Sequence, residues 1–237
     1  MIKLPPRMAS EPSERYFGGA CWHEWGIRPE TREMILSSYC SAFPRDEEGE
    51  EPGVDNFMAT KFLLGIRELD AYGDDPILIH QMSMGGEWEY GMAIYHAIKS
   101  CRSYVAILCH AWARSMSSII PQAADLRVIM PDAKFMFHRG TVSFPEDQAL
   151  GFYTYAEENK EAEERMLDIY VERCRSSEAS HFRKKRWSRE RIKTYLKTKM
   201  NLKQEVWLSA EDAVAWGFMD RVLDDSIEAL LAELNGS

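Results

Sequence analysis

The stretch Ala113–His138, ARSMSSIIPQAADLRVIMPDAKFMFH, decides the fold. A small-residue turn leads into a short apolar helix, and two extended apolar runs, RVIMP and KFMFH, follow it. Just upstream, YVAILCHAWA is a strand-length apolar run, so Ser115 stands where a buried strand becomes a helix. The same alternation continues outward. PILIHQMS reads as a strand and GGEWEYGMAIYHAIKS as a Gly-Gly turn into a helix. In NFMATKFLLGIRELDAYG, Phe57, Met58, Phe62, Leu63, Ile66 and Leu69 recur at helical spacing, with Asp55 as cap and Gly73 as stop. REMILSSYC (Arg32–Cys40) reads as another strand, and the acidic segment Pro44–Gly53 as an exposed loop. Short buried strands alternating with helices define an α/β domain built on parallel crossovers.

Towards the C-terminus the pattern changes. From Pro145 to about Ser177 a charged segment keeps Phe152, Tyr155, Ala162, Met166, Ile169 and Tyr170 in rough helical register, as a helix projecting from the core does. The basic run HFRKKRWSRER follows, then a helix beginning near Ser188. LSAEDAVAWGFMDRVL places Ser209 and Asp212 as a capping pair, Gly217 as terminator and a last strand beyond it. The organisation expected is an N-terminal arm (1–30), a catalytic core (31–144 and 200–224), a helical handle with a basic insertion (145–199) and a tail (225–237).

The 237 residues carry a net charge of −9 and are 45% apolar, a soluble globular balance that disfavours phosphate neutralisation; nucleic acid is not an expected partner. RKKRWSRER does not reverse this, since a short basic run in an acidic chain is a solvated loop or subunit contact. Cys21, Cys40, Cys101, Cys109 and Cys174 are odd in number and lack C-x-x-C spacing, which suits reduced thiols and a cytoplasmic location. MIKLPPRMASEPSE has no apolar signal core, and no apolar run approaches bilayer length, so neither export nor a membrane site is expected. Cys21 and His23 have no partnering pair at zinc spacing, and neither a P-loop nor a dinucleotide fingerprint is present, so no metal or cofactor is expected.

A serine hydroxyl needs a base to take its proton and backbone N–H donors to hold the oxyanion that follows. The turn at Ser115 supplies such donors, because the first N–H groups of a helix lack intrahelical partners. Gly85 and Gly86 form a second strand-to-helix turn where bare backbone can approach a substrate. Adjacent parallel strands bring both turns to one carboxyl edge, and His138, ending its own strand, can reach that edge as general base. Each piece has a plainer reading: a helix cap, a tight turn, a core histidine.

In combination the motifs resemble the Clp protease proteolytic subunit (ClpP) family, peptidase S14. DDPILIHQMSMGG, ARSMSSII and PDAKFMFH occur in the family's order, and WLSAEDAVAWGFMD matches its FLSAPEAVEYGLVD; the correspondence spans roughly Arg32 to Leu223. Spacing after the serine is closest to the phage and prophage branch, which includes head-maturation proteases. The resemblance implies the ClpP/crotonase-like fold, with repeated β-β-α units and a protruding handle. It implies Ser115 as nucleophile, His138 as general base, and the N–H groups of Gly86 and Met116 as oxyanion hole. Glu205 takes the place of the orienting aspartate, with Asn201 or Asp212 as substitutes. Gly85, Arg139, Gly140 and Thr141 are implied to bind substrate, the segment Arg139–Phe144 pairing with it as an added strand. The implied activity is endopeptidase cleavage of unfolded or capsid-associated protein inside a heptameric ring or double ring, with an AAA+ ATPase as possible partner.

Three further positions depart from the family pattern: Met84 replaces a proline, Arg114 a small residue and Ser117 a glycine. Arg114 must point away from the cleft or join substrate or subunit contacts, and Ser117 and Ser118 are rival nucleophiles further into the helix. Arg114, Ser117 and the aspartate-to-glutamate change at Glu205 admit a catalytically silent scaffold subunit of a mixed ring as the alternative. An acyl-CoA hydratase or isomerase on the same fold is a second rival, but its chemistry does not require a serine and a histidine in these slots.

Overall fold

The computed structural model describes residues 21–23, 25–37, 53–140 and 149–236. Most of the N-terminal arm, most of the acidic loop, and Thr141 with the rest of the segment to Phe144 lie outside them.

Strands β1 (Ile27–Arg28), β2 (Glu33–Leu36), β3 (Ile77–Ser83), β4 (Val105–Arg114), β5 (Leu126–Ile129), β6 (Lys134–His138), β7 (Glu205–Leu208) and β8 (Arg221–Val222) form one sheet. The order β1-β2-β3-β4-β5-β8 runs across it, parallel from β2 onward. At β4 the sheet forks. Its first half, Ala106–Cys109, pairs with β5, while Trp112, Ala113 and Arg114 pair in parallel with Lys134, Phe135 and Met136 of β6. β6 then takes β7 as an antiparallel partner, with His138 opposite Glu205.

Helices α1 (Asn56–Tyr72) and α2 (Trp88–Lys99) cover one face of the sheet together with α3 (Met116–Ile119). α4 (Ala149–Ser176), α5 (His181–Lys184), α6 (Arg189–Lys203) and α7 (Ala210–Trp216) complete that side, and the main core lies beneath. α8 (Ile227–Leu234) covers a smaller cluster of Leu78, Ala106, Leu108, Val128 and Leu223 on the opposite face. The central strands are apolar on both faces because both are covered.

Local signals account for many boundaries. Asp55 accepts a hydrogen bond from the Met58 N–H, Ser188 from that of Arg191 and Ser209 from that of Asp212, each satisfying an orphan donor. Gly217 ends α7 at φ 87°. Of the strand expected over Arg32–Cys40, the described residues form Glu33–Leu36, and 38–40 lie outside them. On α1, Met58, Phe62, Ile66 and Leu69 are buried, but Phe57 and Leu63 are exposed. They sit one position off the four-residue stripe that faces the sheet, so they rotate towards solvent.

The handle helix has two characters. Met166, Leu167, Ile169, Tyr170, Val171 and Cys174 enter the core, whereas Tyr153 and Tyr155 in its first half are exposed. Phe135 stacks on Phe218 at 4.7 Å, and Tyr170 meets Phe135, Phe137 and Phe218 edge-on. This cluster fixes β6 against α4. Arg189 and Arg191 of the basic run, with Lys193 and Lys197 just beyond it, make contacts within the chain, whereas Lys184, Lys185 and Arg186 are exposed. Arg191 lies 4.0 Å over the Trp187 ring, Arg189 and Lys193 pair with Asp168, and Lys193 and Lys197 pair with Glu164 of α4.

Arg127 of β5 is 2% exposed and donates to Asp220, Gln122 Oε1 and the Gly217 carbonyl, tying β5 to the turn after α7. Removing one member of such a buried network leaves the others unpaired. Arg127→Ala is expected to lower the unfolding free energy by about 3 kcal/mol, seen as a shifted urea midpoint at fixed protein concentration.

Candidate active site

Parallel pairing of β4 with β6 brings Ser115 and His138 to one edge. The Ser115 N–H continues the ladder by donating to the Met136 carbonyl at 3.0 Å, and the Ser115 hydroxyl lies 2.7 Å from His138 Nε2. Ser115 adopts φ 53° and ψ −127°, a conformation that non-glycine residues avoid and that costs on the order of 1–3 kcal/mol. It therefore makes no side-chain cap on α3, and the plain helix-cap reading gives way to an outward-turned hydroxyl. The strained turn is held by its neighbours. The Ser118 N–H and hydroxyl both donate to the Ser115 carbonyl, at 2.9 and 2.6 Å, and the buried amide of Gln81 donates to the Ser117 carbonyl at 2.7 Å.

The rival nucleophiles are set aside by burial. Ser117 and Ser118 are fully buried, and Ser118 also meets the Tyr170 hydroxyl at 2.6 Å. The buried thiols of Cys109 and Cys174 are pushed well above the ordinary thiol range, which keeps them protonated.

The second turn is braced by chain from before α1. Val54 forms a parallel bridge with Gly86: its N–H donates to the Gly85 carbonyl at 2.7 Å, and its carbonyl accepts from the Glu87 N–H at 2.8 Å. In that pattern the N–H of Gly86 points away from Val54. Any Cβ on Gly86 would fall 2.4 Å from Val54 backbone atoms, and one on Gly85 (φ 102°) would fall 2.6 Å from the Ser115 Cβ. Both glycines are required by close approach. Gly53, expected at the end of an exposed loop, is instead buried against this turn.

Gly85, Gly86, Ser115, Met116, His138, Arg139 and Gly140 line one cleft of about 960 Å³, walled on the far side by Tyr155, Asn159 and Met166 of the handle. The sequence-derived set thus converges, apart from Thr141, which is outside the described residues, and Glu205, which is on β7 directly across from His138. The Glu205 carboxylate accepts from the Trp207 indole N–H at 3.0 Å. Of the substitutes, Asn201 is exposed on α6 and Asp212 lies in the first turn of α7, where its charge acts on His181. The charges acting on His138 are those of Glu205 and Arg114.

Burial pushes the His138 pKa below its ordinary value near 6.5, Glu205 opposes that shift and Arg114 adds to it. The imidazole is accordingly neutral at neutral pH, the form in which it can accept a proton. Arg114 lies with its guanidinium carbon 5.7 Å from the Trp207 ring centroid. The sequence requires Arg114 to point away from the cleft or to join substrate or subunit contacts; it is one of the residues lining the cleft, and its contact with Trp207 comes from a register that no local pattern records. Among the described residues no three His, Cys, Asp or Glu side chains are grouped as a metal site requires.

A strained serine hydrogen-bonded to a neutral histidine at the carboxyl edge of a parallel sheet is the arrangement that acyl transfer through a serine requires. The family model "Clp protease" matches residues 51–226, and the chain belongs to the Clp protease family, whose members are of the ClpP type. Its fold is also similar to that of a point mutant of ClpP1 from Listeria monocytogenes, with a TM-score of 0.62 at 20% identity, over 83% of this chain and 94% of that one. The ClpP/crotonase-like fold expected from the motifs is the fold observed.

Removing the Arg114 cation takes away a charge that disfavours imidazolium, so the His138 pKa rises. Arg114→Ala should move the acid limb of the kcat/KM profile to higher pH, measured with a fluorogenic peptide.

Proposed function

We propose that the chain is a serine endopeptidase acting on unfolded or capsid-associated protein. The observation that carries this reading is the 2.7 Å contact between the Ser115 hydroxyl and His138 Nε2 on a strained turn. Ser115 Oγ attacks the scissile carbonyl as its proton passes to Nε2, and the N–H groups of Gly86 and Met116 hold the tetrahedral oxyanion. The imidazolium returns the proton to the leaving amine. Water, deprotonated by the same imidazole, then hydrolyses the acyl-enzyme. Glu205 orients the imidazole and stabilises its cationic form, with Arg139, Gly140 and Thr141 pairing with the substrate backbone beside Gly85.

The subunit works within a homo-oligomeric ring or double ring, heptameric by family resemblance, in the cytoplasm. An AAA+ ATPase supplies unfolding where the substrate is folded. The exposed Tyr153 and Tyr155 on the outer half of the handle support a subunit contact there. Among the described residues no helix is long and apolar enough to cross a membrane.

Cleavage of a quenched-fluorescence peptide or an unfolded protein tests the reading. Ser115→Ala and His138→Ala should each cut kcat by about 10⁴-fold or more, and together should cost little beyond either alone. Equal activity in the wild type and Ser115→Ala would remove the serine from the mechanism.

A further inference from the structure

Strand β7 carries Glu205 and Trp207 two residues apart, so both side chains leave the same face of the sheet. In the register β4–β6–β7, Arg114 lies beside Met136, and Met136 lies opposite Trp207; two residues along, His138 lies opposite Glu205. Trp207 is 45% exposed, far more than packing alone asks of an indole, and its position is defined by two polar contacts. Its N–H donates to Glu205 Oε2 at 3.0 Å, and its ring lies 5.7 Å from the Arg114 guanidinium carbon.

A glutamate has one more rotatable bond than an aspartate, and a partly exposed one spreads over several rotamers unless something holds it. An indole N–H on one oxygen removes that freedom. His138 uses Nε2 for Ser115, so Nδ1 is the atom on which an orienting carboxylate acts. We propose that Trp207 is a positioning residue for the catalytic histidine: its N–H anchors one oxygen of Glu205, leaving the other oxygen to accept a hydrogen bond from the Nδ1–H of His138 across the β6–β7 pair and to stabilise the imidazolium as it forms. This rests on the reading of Glu205 as the orienting acid. Trp207 itself is not among the residues that line the cleft.

The test is a double-mutant cycle read on the pH profile of kcat/KM for a fluorogenic peptide. Trp207→Phe keeps a smaller aromatic ring beside Arg114 and removes the N–H donor. It is expected to lower kcat/KM about tenfold, the worth of one hydrogen bond to a charged group, with the loss in kcat. Because Glu205 holds the His138 pKa up, loosening it lets that pKa fall, and the acid limb moves to lower pH. In a Glu205→Ala background the same substitution should change kcat/KM less than twofold. A full tenfold loss in that background, or a wild-type rate and limb in Trp207→Phe, overturns the proposal while leaving Glu205 in place. Unchanged kcat/KM and an unmoved limb in Glu205→Ala alone overturn the assignment of Glu205, and the proposal with it.

Discussion

The site depends on the fork in β4. Residues Ala106–Cys109 of this ten-residue strand pair with β5, and Trp112–Arg114 pair with β6, so its carboxyl end is separated from β5 and delivered to the strand that carries the histidine. The bond from the Ser115 N–H to the Met136 carbonyl extends that second ladder by one residue. A parallel ladder fixes which residues stand side by side, and two residues beyond Met136 lies His138. The strain at Ser115 is tolerated because both flanks are fixed: β4–β6 pairing before it, and the hydrogen bonds of Gln81 and Ser118 after it.

Packing makes the fork rigid. β6 projects Phe135 and Phe137 into the aromatic group formed with Tyr170, Trp216 and Phe218, which come from the handle and from the end of α7. The handle therefore serves two ends of the chain's chemistry. Its inner half anchors the histidine strand, and its residues from Tyr155 to Met166 wall the cleft. Charge then tunes what packing places. Burial and Arg114 favour the neutral imidazole of His138, while Glu205 favours its cationic form.

Much of this was legible in the sequence where the cause is local. Asp55, Ser188, Ser209 and Gly217 act on their own helices, and the apolar runs of β3, β4 and β6 reflect burial on both faces. Ser115, His138 and the Gly85–Gly86 turn were legible because their places at element ends follow from the same patterns. What depends on register was not. Neither the fork of β4 nor the row joining Arg114, Met136 and Trp207 leaves a trace in residue spacing, since strands far apart in the chain set them. Gly53 belongs to the same class: its loop reads as polar and exposed, yet long-range pairing at Val54 carries it under the Gly85–Gly86 turn. Phe57 and Leu63 fit a helical period, but period alone does not say which of two adjacent positions faces the sheet.

The central claim is that Ser115 is a nucleophile activated by His138. Mass-spectrometric mapping of a fluorophosphonate adduct on the assembled protein addresses it directly, because only an activated serine phosphonylates at a useful rate. The adduct is predicted on Ser115 alone, absent from Ser115→Ala and strongly slowed in His138→Ala. No adduct on correctly assembled wild type, or an adduct on another serine that survives Ser115→Ala, would contradict it.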